Sequence, residues 1–303
     1  MTEVLPQIVD PHFHLWNLAN PYPWLTQQPP PIRVAGDPAP IAVDYPVADY
    51  IAEMAAPGVV RAVHVDAGWD YNDPVGETAW LQSVADSAGS RGFPHGIVAR
   101  AALDQPDIEA LLDAHMAYPN LRGIRQILNW HPDPDKTYIQ IPDLMEAPGW
   151  RKGFAALARR GLSFDLQCYP GQFDQALRLA DAFPATNIIL NHAGMPVDRS
   201  TDGSAHWRKG IAALSERPNV SVKISGLGML DWKWTLESLR PYVLATIDCF
   251  GPERAMFASN FPVDRLYSSA DTLYAAFRQL VADFSISDRQ ALFHDTACRV
   301  YRL

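Results

Sequence analysis

The sequence predicts an α/β fold, a (β/α)8 TIM barrel with a Pro-rich lid loop after the first strand and helices at its C-terminal end. Eight short apolar runs alternate with helix-like segments, which implies a parallel sheet with right-handed crossovers. The 303 residues suit one such barrel, with residues 1–303 as a single domain. The fifth and seventh strand segments alternate apolar and polar residues, which favours a polar barrel interior over an open sheet with two apolar faces.

The first strand begins the stretch 8–16, which contains Asp10, His12 and His14. Side chains two residues apart on a strand share a face, so these three side chains are expected to project together. Two imidazoles side by side at a strand end suit a divalent-metal or general-base site. The alternative is a pair of hydrogen-bonded structural histidines.

The remaining strands are predicted where apolar runs stand between turn signals, at 59–66, 96–102, 121–128, 162–167, 187–191, 220–225 and 255–259. Helices are predicted between them at 46–56, 77–90, 107–117, 150–160, 173–183, 204–216 and 234–250, and finally at 271–284 and 288–301. The Pro57-Gly58 pair and Gly161 mark the ends of two of these helices, because neither residue type continues a helix well.

Residues 17–45 are rich in proline, which excludes a regular helix or a central strand there. A long irregular segment within a compact domain is usually a functional lid or a disordered linker. The apolar side chains of Trp16, Tyr22, Trp24 and Leu25 can anchor this segment, so we predict an ordered lid.

Composition excludes several classes of protein. The formal net charge of -9, without a dense Lys/Arg stripe, argues against binding to nucleic acid or to an anionic membrane. No secretory signal and no apolar run of about 20 residues is visible. The isolated cysteines Cys168, Cys249 and Cys298 suit a reducing compartment. We therefore predict a cytoplasmic protein with a small-molecule substrate, and the sequence leaves its oligomeric state open.

In such a barrel the chemistry lies at the carboxyl ends of the strands. The polar residues predicted there are His12, His14, His64, Asp66, Arg125, Gln126, Asn129, Asp165, Gln167, His192, Lys223, Ser225, Asn260 and, just beyond, Asp264. The planar guanidinium of Arg125 suits a carboxylate or a polarised carbonyl. The residues predicted to contact substrate are Asp66, Gln126, Asn129, Gln167 and Trp24.

Some of these residues have structural alternatives. His64 can be a core histidine that bonds to a neighbour. Lys223 and Asp165 can form a buried ion pair, since a lone buried charge is costly. Asp264 can be a surface or capping residue.

Seven motifs, spread over almost the whole chain, carry a resemblance to a known family. Asp10-Pro11-His12-Phe13-His14-Leu15-Trp16 resembles the opening motif of the amidohydrolase superfamily, and more narrowly of its sugar-lactone, pyrone-dicarboxylate and muconolactone hydrolases. The other matching motifs are Asn20-Pro21-Tyr22-Pro23-Trp24-Leu25, His64-Val65-Asp66-Ala67-Gly68-Trp69, Gly123-Ile124-Arg125-Gln126, Asn191-His192-Ala193-Gly194, Val222-Lys223-Ile224-Ser225-Gly226-Leu227 and Ser259-Asn260-Phe261-Pro262.

The resemblance implies a site lined by the strand-one histidines and the strand-six histidine, with one divalent metal ion of the Zn type on His12, His14 and His192. Some lactonases of this branch work without a metal, so a metal-free mechanism stays open. The family places an acid where this chain has Asn260, whose amide cannot take a proton from water. Asp264, four residues further on, is the candidate substitute.

The function predicted from these residues is hydrolysis of a lactone of a small carboxylated or sugar-acid substrate by an activated water. The catalytic residues predicted for it are His192, Arg125, Asn260 and Asp264. One alternative is a metal-dependent decarboxylase of an aromatic acid. The other is a catalytically impaired barrel that only binds a ligand, for which Asn260 is the best sequence argument.

Overall fold

The structure, a computed structural model, describes residues 6–303. Its core is a sheet of eight parallel strands whose spatial order is the order along the chain. The strands are β1 (Ile8–Phe13), β2 (Val59–Val65), β3 (Gly96–Arg100), β4 (Leu121–Ile127), β5 (Ser163–Gln167), β6 (Ile188–Leu190), β7 (Val220–Ile224) and β8 (Ala255–Phe257). The predicted (β/α)8 barrel is confirmed.

Two backbone hydrogen bonds join the first strand to the segment that follows the last one. Asn260 N donates to the His12 carbonyl, and His14 N donates to the Phe261 carbonyl, each at 2.7 Å. These bonds form the seam of the barrel. Residues predicted for the site thus lie on both edges of this seam.

Helices follow the strands along the chain, as the alternation predicts. They are α1 (Pro23–Thr26), α2 (Val47–Glu53), α3 (Gly76–Ala85), α4 (Ile108–Met116), α5 (Pro148–Arg159), α6 (Phe173–Ala182), α7 (Thr201–Ser215), α8 (Leu236–Phe250), α9 (Ala270–Leu280), α10 (Ile286–Gln290) and α11 (Thr296–Tyr301). A single π-turn, Ala291–Asp295, connects α10 to α11, so the last predicted helix has a wider turn in its middle. Within residues 6–303 no helix is long and apolar enough to cross a membrane.

The lower half of the barrel interior is apolar. It holds a cluster of strand side chains, namely Val9, Val63, Val65, Val98, Ile189 and Met256. Ala297, Val300 and Tyr301 of α11 close this cluster on one side. Such a packed interior leaves the carboxyl ends of the strands as the place for a site.

The Pro-rich segment is folded against the carboxyl ends of the strands. It is largely irregular, with one turn of helix at α1, which begins on a proline, and one 3-10 turn at Ala39–Ile41. The expectation of no helix is wrong for these two turns, because proline is tolerated in the first turn of a helix. Trp24 donates from its indole nitrogen to the Ala67 carbonyl at 2.7 Å. Gly36 has a φ of 77° and lies against the Trp232 ring, 3.2 Å from where a Cβ would stand. The segment is therefore anchored at both ends.

Candidate active site

A cavity of about 720 Å³ lies at the carboxyl ends of the strands, and the Pro-rich segment supplies part of its wall. Seven residues predicted for the site line this cavity: His14, Trp24, Asp66, Arg125, Gln167, His192 and Asn260. Four others do not line it: His12, Gln126, Asn129 and Asp264. Most of the residues that the sequence predicted for the site therefore line the cavity, and the other four lie outside its lining.

Asp10 points away from the imidazoles, which corrects the prediction that it shares a face with the two histidines of the first motif. Its carboxylate accepts hydrogen bonds from Tyr50 Oη of α2 at 2.8 Å and from Ser259 Oγ at 2.5 Å. The pairing of β1 with β2 shifts register between Asp10 and Phe13, where Pro11 has no N–H to donate, and such a shift interrupts the two-residue alternation. Asp10 instead connects β1 to α2 and to the end of β8.

The three imidazoles predicted to converge are neighbours. The ring centroid of His12 lies 5.1 Å from that of His14 and 4.6 Å from that of His192. Within residues 6–303, however, no group of three or more His, Cys, Asp or Glu side chains is arranged to hold a metal ion. The three-histidine ligand set stays a prediction.

His14 presents a free nitrogen to the cavity. Its Nδ1 lies 2.7 Å from the Val65 carbonyl oxygen, which can only accept, so Nδ1 carries the proton and Nε2 has the lone pair. Burial, followed by the nearby Arg125, lowers the pKa of His14 to about 4. The ring is therefore uncharged at neutral pH and can accept a proton from water.

His12 lies deeper, next to a buried ion pair. The ammonium of Lys223 is 2.5 Å from Asp165 Oδ1 and 3.3 Å from His12 Nδ1, and Tyr301 Oη donates to the same carboxylate oxygen at 2.8 Å. Both charged side chains are fully buried, so the buried-pair alternative for Lys223 and Asp165 is the one observed. Burial and the ammonium hold the pKa of His12 well below its usual value.

His192 is held in an uncommon backbone conformation, with a φ of 56°, which non-glycine residues adopt mainly where the surroundings enforce it. Its Nδ1 lies 2.9 Å from Ser225 Oγ. A Cβ on Gly226, whose φ is 60°, would stand 2.5 Å from that Nδ1, so this loop needs glycine to let the backbone approach the ring. Burial, followed by the charge of Arg125, lowers the pKa of His192 strongly.

Arg125 is a nearly fully buried cation on β4, only 5% exposed. Its Nε donates to Asp66 Oδ2 at 2.7 Å, its Nη1 to Gln167 Oε1 at 3.0 Å, and its Nη2 to the Asp66 carbonyl. Burial disfavours the charged form of Asp66, but the guanidinium outweighs this and lowers the pKa of that carboxyl. Three of the five N–H groups of Arg125 are thus engaged, and two remain for a ligand.

Gln126 and Asn129 support other groups and do not line the cavity, and their assignment to the substrate-binding set stays a prediction. Gln126 Oε1 accepts hydrogen bonds from Leu103 N at 3.1 Å and Trp150 Nε1 at 2.8 Å, because it follows Arg125 on the strand and faces the helices. Asn129 is fully buried and accepts from Gln167 Nε2 at 3.1 Å. It therefore positions a residue that does line the cavity.

Asn260 and Asp264 form a buried pair beside His14. Asn260 Nδ2 donates to Asp264 Oδ2 at 2.6 Å, and Asn260 Oδ1 lies 3.4 Å from His14 Nε2. Burial raises the pKa of Asp264 to about 7. The loop after β8 folds back, as it must if Asp264 is to replace the acid that the family has at position 260. Asp264 does not line the cavity but contacts Asn260, which does. Asn260 itself has a φ of 57°.

Sequence reasoning missed Glu77, a buried acid on α3. Its Oε1 accepts hydrogen bonds from Ala67 N at 3.0 Å and Tyr22 Oη at 3.2 Å. Burial, followed by the charge of Asp66, raises the pKa of Glu77 to about 8. An acid in the first turn of a helix usually interacts with the helix dipole at the surface, so the sequence carried no sign of this contact.

The family model for amidohydrolases matches residues 9–303 of the chain. The chain belongs to the amidohydrolase family. This agrees with the resemblance carried by the motifs.

Three relatives extend the comparison. The chain is 52% identical over 300 residues to protein y4mH of Sinorhizobium fredii, covering 98% of each protein. It is 29% identical over 306 residues to an L-fucono-1,5-lactonase of Burkholderia ambifaria, covering 97% of this chain and 95% of the relative. A crystal structure of an amidohydrolase from Burkholderia multivorans with bound Zn is 25% identical, with a TM-score of 0.80 over 98% of this chain and 99% of that one. Family membership and these relatives support a hydrolase.

Proposed function

We propose that this protein hydrolyses the ester bond of an uncharged, polyhydroxylated lactone, a cyclic ester of a sugar acid. The observation that carries the proposal is the pairing, in one cavity, of an uncharged imidazole with a free nitrogen and a guanidinium with unused N–H groups. A base and an electrophile are what addition of water to a carbonyl requires. The lactonase relative of Burkholderia ambifaria supports the same reaction class.

His14 acts as the general base in this proposal. Its Nε2 accepts the proton of the attacking water, while the Val65 carbonyl, 2.7 Å from Nδ1, fixes the tautomer and accepts from the imidazolium that forms. His192 lies on the same cavity wall and orients the water or takes part in returning the proton to the leaving alkoxide. General-base catalysis of this kind contributes about 10²- to 10⁴-fold to a rate.

Arg125 stabilises the oxyanion that develops on the lactone carbonyl. Its two remaining N–H groups are held in place by the bonds to Asp66 and Gln167, so little reorganisation accompanies the reaction. Because Asp66 forms an ion pair with this guanidinium at 2.7 Å, the group acts as an oriented donor and not as a free positive charge.

The charge balance at the strand ends, as distinct from the outer wall that carries Arg33, favours an uncharged group at the reacting end of the substrate. The buried cations at the strand ends, Arg125 and Lys223, are each matched by a carboxylate at 2.7 Å and 2.5 Å respectively. A buried carboxylate of a substrate would need a cation of its own, since an unpaired buried charge is costly. This argues for a lactone whose reacting ring carries no carboxylate, and also against an aromatic acid whose carboxylate lies at the strand ends for decarboxylation.

The residues present do not fit a divalent ion held by all three histidines. A metal-ligating histidine normally donates its other ring N–H to an acceptor, whereas His12 Nδ1 faces the ammonium of Lys223, a donor, at 3.3 Å. With the ammonium as the donor to Nδ1, His12 Nε2 carries the ring proton and offers no lone pair, and among the described residues it is a buried atom without a hydrogen-bond partner. Asn260 also supplies a neutral amide where the family has an acid. The proposed reaction therefore uses no metal.

Asn260 and Asp264 serve as positioning residues for the base. With Asp264 ionised, Asn260 Nδ2 donates to it and Oδ1 faces His14 Nε2. In this orientation Oδ1 can accept a hydrogen bond from His14 once the imidazole has become an imidazolium. With Asp264 protonated, the amide can turn and donate to the neutral imidazole. The pair thus matches either protonation state of His14.

A panel of aldonolactones and carboxylated lactones, followed by acid release in a weakly buffered pH-indicator assay, tests the proposal. We expect turnover of the neutral lactones, about 10²-fold or more slower for His14→Ala and for Arg125→Met. Gln126→Ala, which lies outside the cavity, is the matched control. Unchanged rates in both site variants would remove the proposed site, and a protein that is thermally stabilised by a lactone without hydrolysing it would be a binding barrel instead.

A further inference from the structure

We propose that the cavity holds two sugar rings, the reacting lactone at the strand ends and a second, glycosidically attached ring in an outer subsite. The outer subsite is defined by Tyr71, Asn72, Tyr138 and Gln140, all of which line the cavity. The position of the reacting ring rests on the proposed lactone hydrolysis, whereas the outer subsite rests on the size and the lining of the cavity.

The cavity is larger than one ring requires. A six-carbon sugar lactone fills on the order of 200 Å³, the liquid volume of about seven waters, whereas the cavity measures about 720 Å³. The residues of the proposed chemistry, His14, Arg125 and His192, line the same cavity as Tyr71 and Tyr138. The remaining volume is therefore continuous with the reaction site.

Tyr71 is an exposed aromatic ring fixed in place from one side. It is 67% exposed, and the guanidinium carbon of Arg100 lies 3.4 Å from its ring centroid. Arg100 is the last residue of β3, so the barrel itself supports this cation–π stack. A ring that is held before a ligand arrives loses little freedom on binding, which is what a stacking platform needs.

Other exposed apolar residues lie on the loops that follow the strands, the side of the barrel on which the cavity opens. Six of the eight large hydrophobic residues that are exposed in the described chain lie on loops that follow strands: Ile32, Val43, Tyr71, Tyr138, Ile141 and Trp232. Concentration of exposed apolar surface on one face is typical of a ligand-binding surface. The opening is therefore built to contact something beyond the reacting ring.

The chemistry of this opening fits a sugar better than an alkyl chain. Besides the two tyrosines, the cavity lining includes the amides of Asn72 and Gln140. Amides and hydroxyls offer both donors and acceptors, which match the hydroxyls of a sugar, while the aromatic faces match its C–H faces. An alkyl chain would form no hydrogen bonds with these amides.

Kinetics with matched lactones tests the outer subsite. The substrates are glucono-1,5-lactone and its glycosylated counterparts cellobiono-, maltobiono- and lactobionolactone. We expect kcat/KM to be about 3- to 10-fold higher for at least one two-ring lactone than for gluconolactone, the range of one aromatic stacking contact. Tyr71→Ala is expected to bring that ratio close to one, and Tyr71→Phe, which keeps the ring, to retain it.

Saturation-transfer NMR with cellobiose, maltose and lactose, which contain no lactone, measures the subsite independently of catalysis. We expect transfer to the rings of at least one of these disaccharides in the wild type and in Ile286→Ala, a distant exposed control, but not in Tyr71→Ala. If no lactone is hydrolysed but saturation transfer to a disaccharide is still observed, the proposed function is refuted and the outer subsite stands. A ratio near one in the wild type, or no Tyr71-dependent transfer, would overturn the subsite.

Discussion

The buried carboxyl of Asp264 should make the stability of this protein fall as pH rises towards neutrality. Burial raises the pKa of Asp264 from its ordinary 3.8 to about 7. Between these two values the folded protein keeps a proton on this group that the unfolded chain has released. Because stability falls with rising pH wherever the folded state binds more protons, the contribution of Asp264 is fully present below about pH 4 and is lost by about pH 7.

The size of the effect follows from the pKa shift. A shift of roughly three units, at about 1.4 kcal/mol per unit, corresponds to about 4 kcal/mol. Asp264→Asn removes the titration while keeping a side chain of the same shape beside Asn260, 2.6 Å away in the wild type. The variant is therefore expected to gain stability relative to the wild type as pH rises from 4 to 8.

Urea unfolding of both proteins at pH steps from 4 to 8 measures this difference. Glu77, whose pKa is also raised by burial, contributes to both proteins and cancels. Asp283→Asn, at an exposed position, is the control and should run parallel to the wild type. Parallel curves for Asp264→Asn as well would show that Asp264 is ionised in the folded protein throughout this range, and the reasoning from burial would be wrong.

Three further outcomes follow from other contacts. Lys223→Met should lower the free energy of unfolding by about 3–5 kcal/mol, because Asp165 is left buried without its partner. The double variant Lys223→Met/Asp165→Leu should recover much of that loss. Denaturant titrations check both variants, and an equally unstable double variant would contradict the argument. Gln126→Ala should lower the unfolding free energy by about 1–3 kcal/mol through its two lost hydrogen bonds and leave KM unchanged, so a raised KM would return Gln126 to the substrate-binding set. Dialysis against a chelator should leave lactone hydrolysis intact, as measured by initial rates alongside metal analysis; loss of activity that added Zn restores would refute the metal-free reaction.

The sequence predicted the fold and much of the cavity wall because both follow from short-range periodicity. On β5 the alternation of Phe164 and Asp165 separates a helix-facing residue from an interior one, and the structure has this arrangement. Residues at strand ends such as Arg125 and His192 meet because parallel strands bring their carboxyl ends to one side. No partner needed to be known for these predictions.

The errors arise where a contact joins distant elements. Asp10 leaves the face of the histidines because of a register shift in β1, and no local pattern reveals such a shift. The ammonium of Lys223 lies beside His12 across 211 residues of chain, so this neighbour of the imidazole is visible only in three dimensions. Glu77 lies in the first turn of its helix, where an acid is usually at the surface, although tertiary packing buries it.

The seam of the barrel has a consequence for how activity arises during synthesis. His14 and Asn260 are 246 positions apart, and the ring is completed only when their two flanking backbones join. A ribosome-bound chain that stops short of residue 260 already carries most of the cavity wall but lacks one edge of it. The seam therefore cannot close until the residues up to 261 have emerged, which makes the proposed hydrolysis a sensitive reporter of barrel closure.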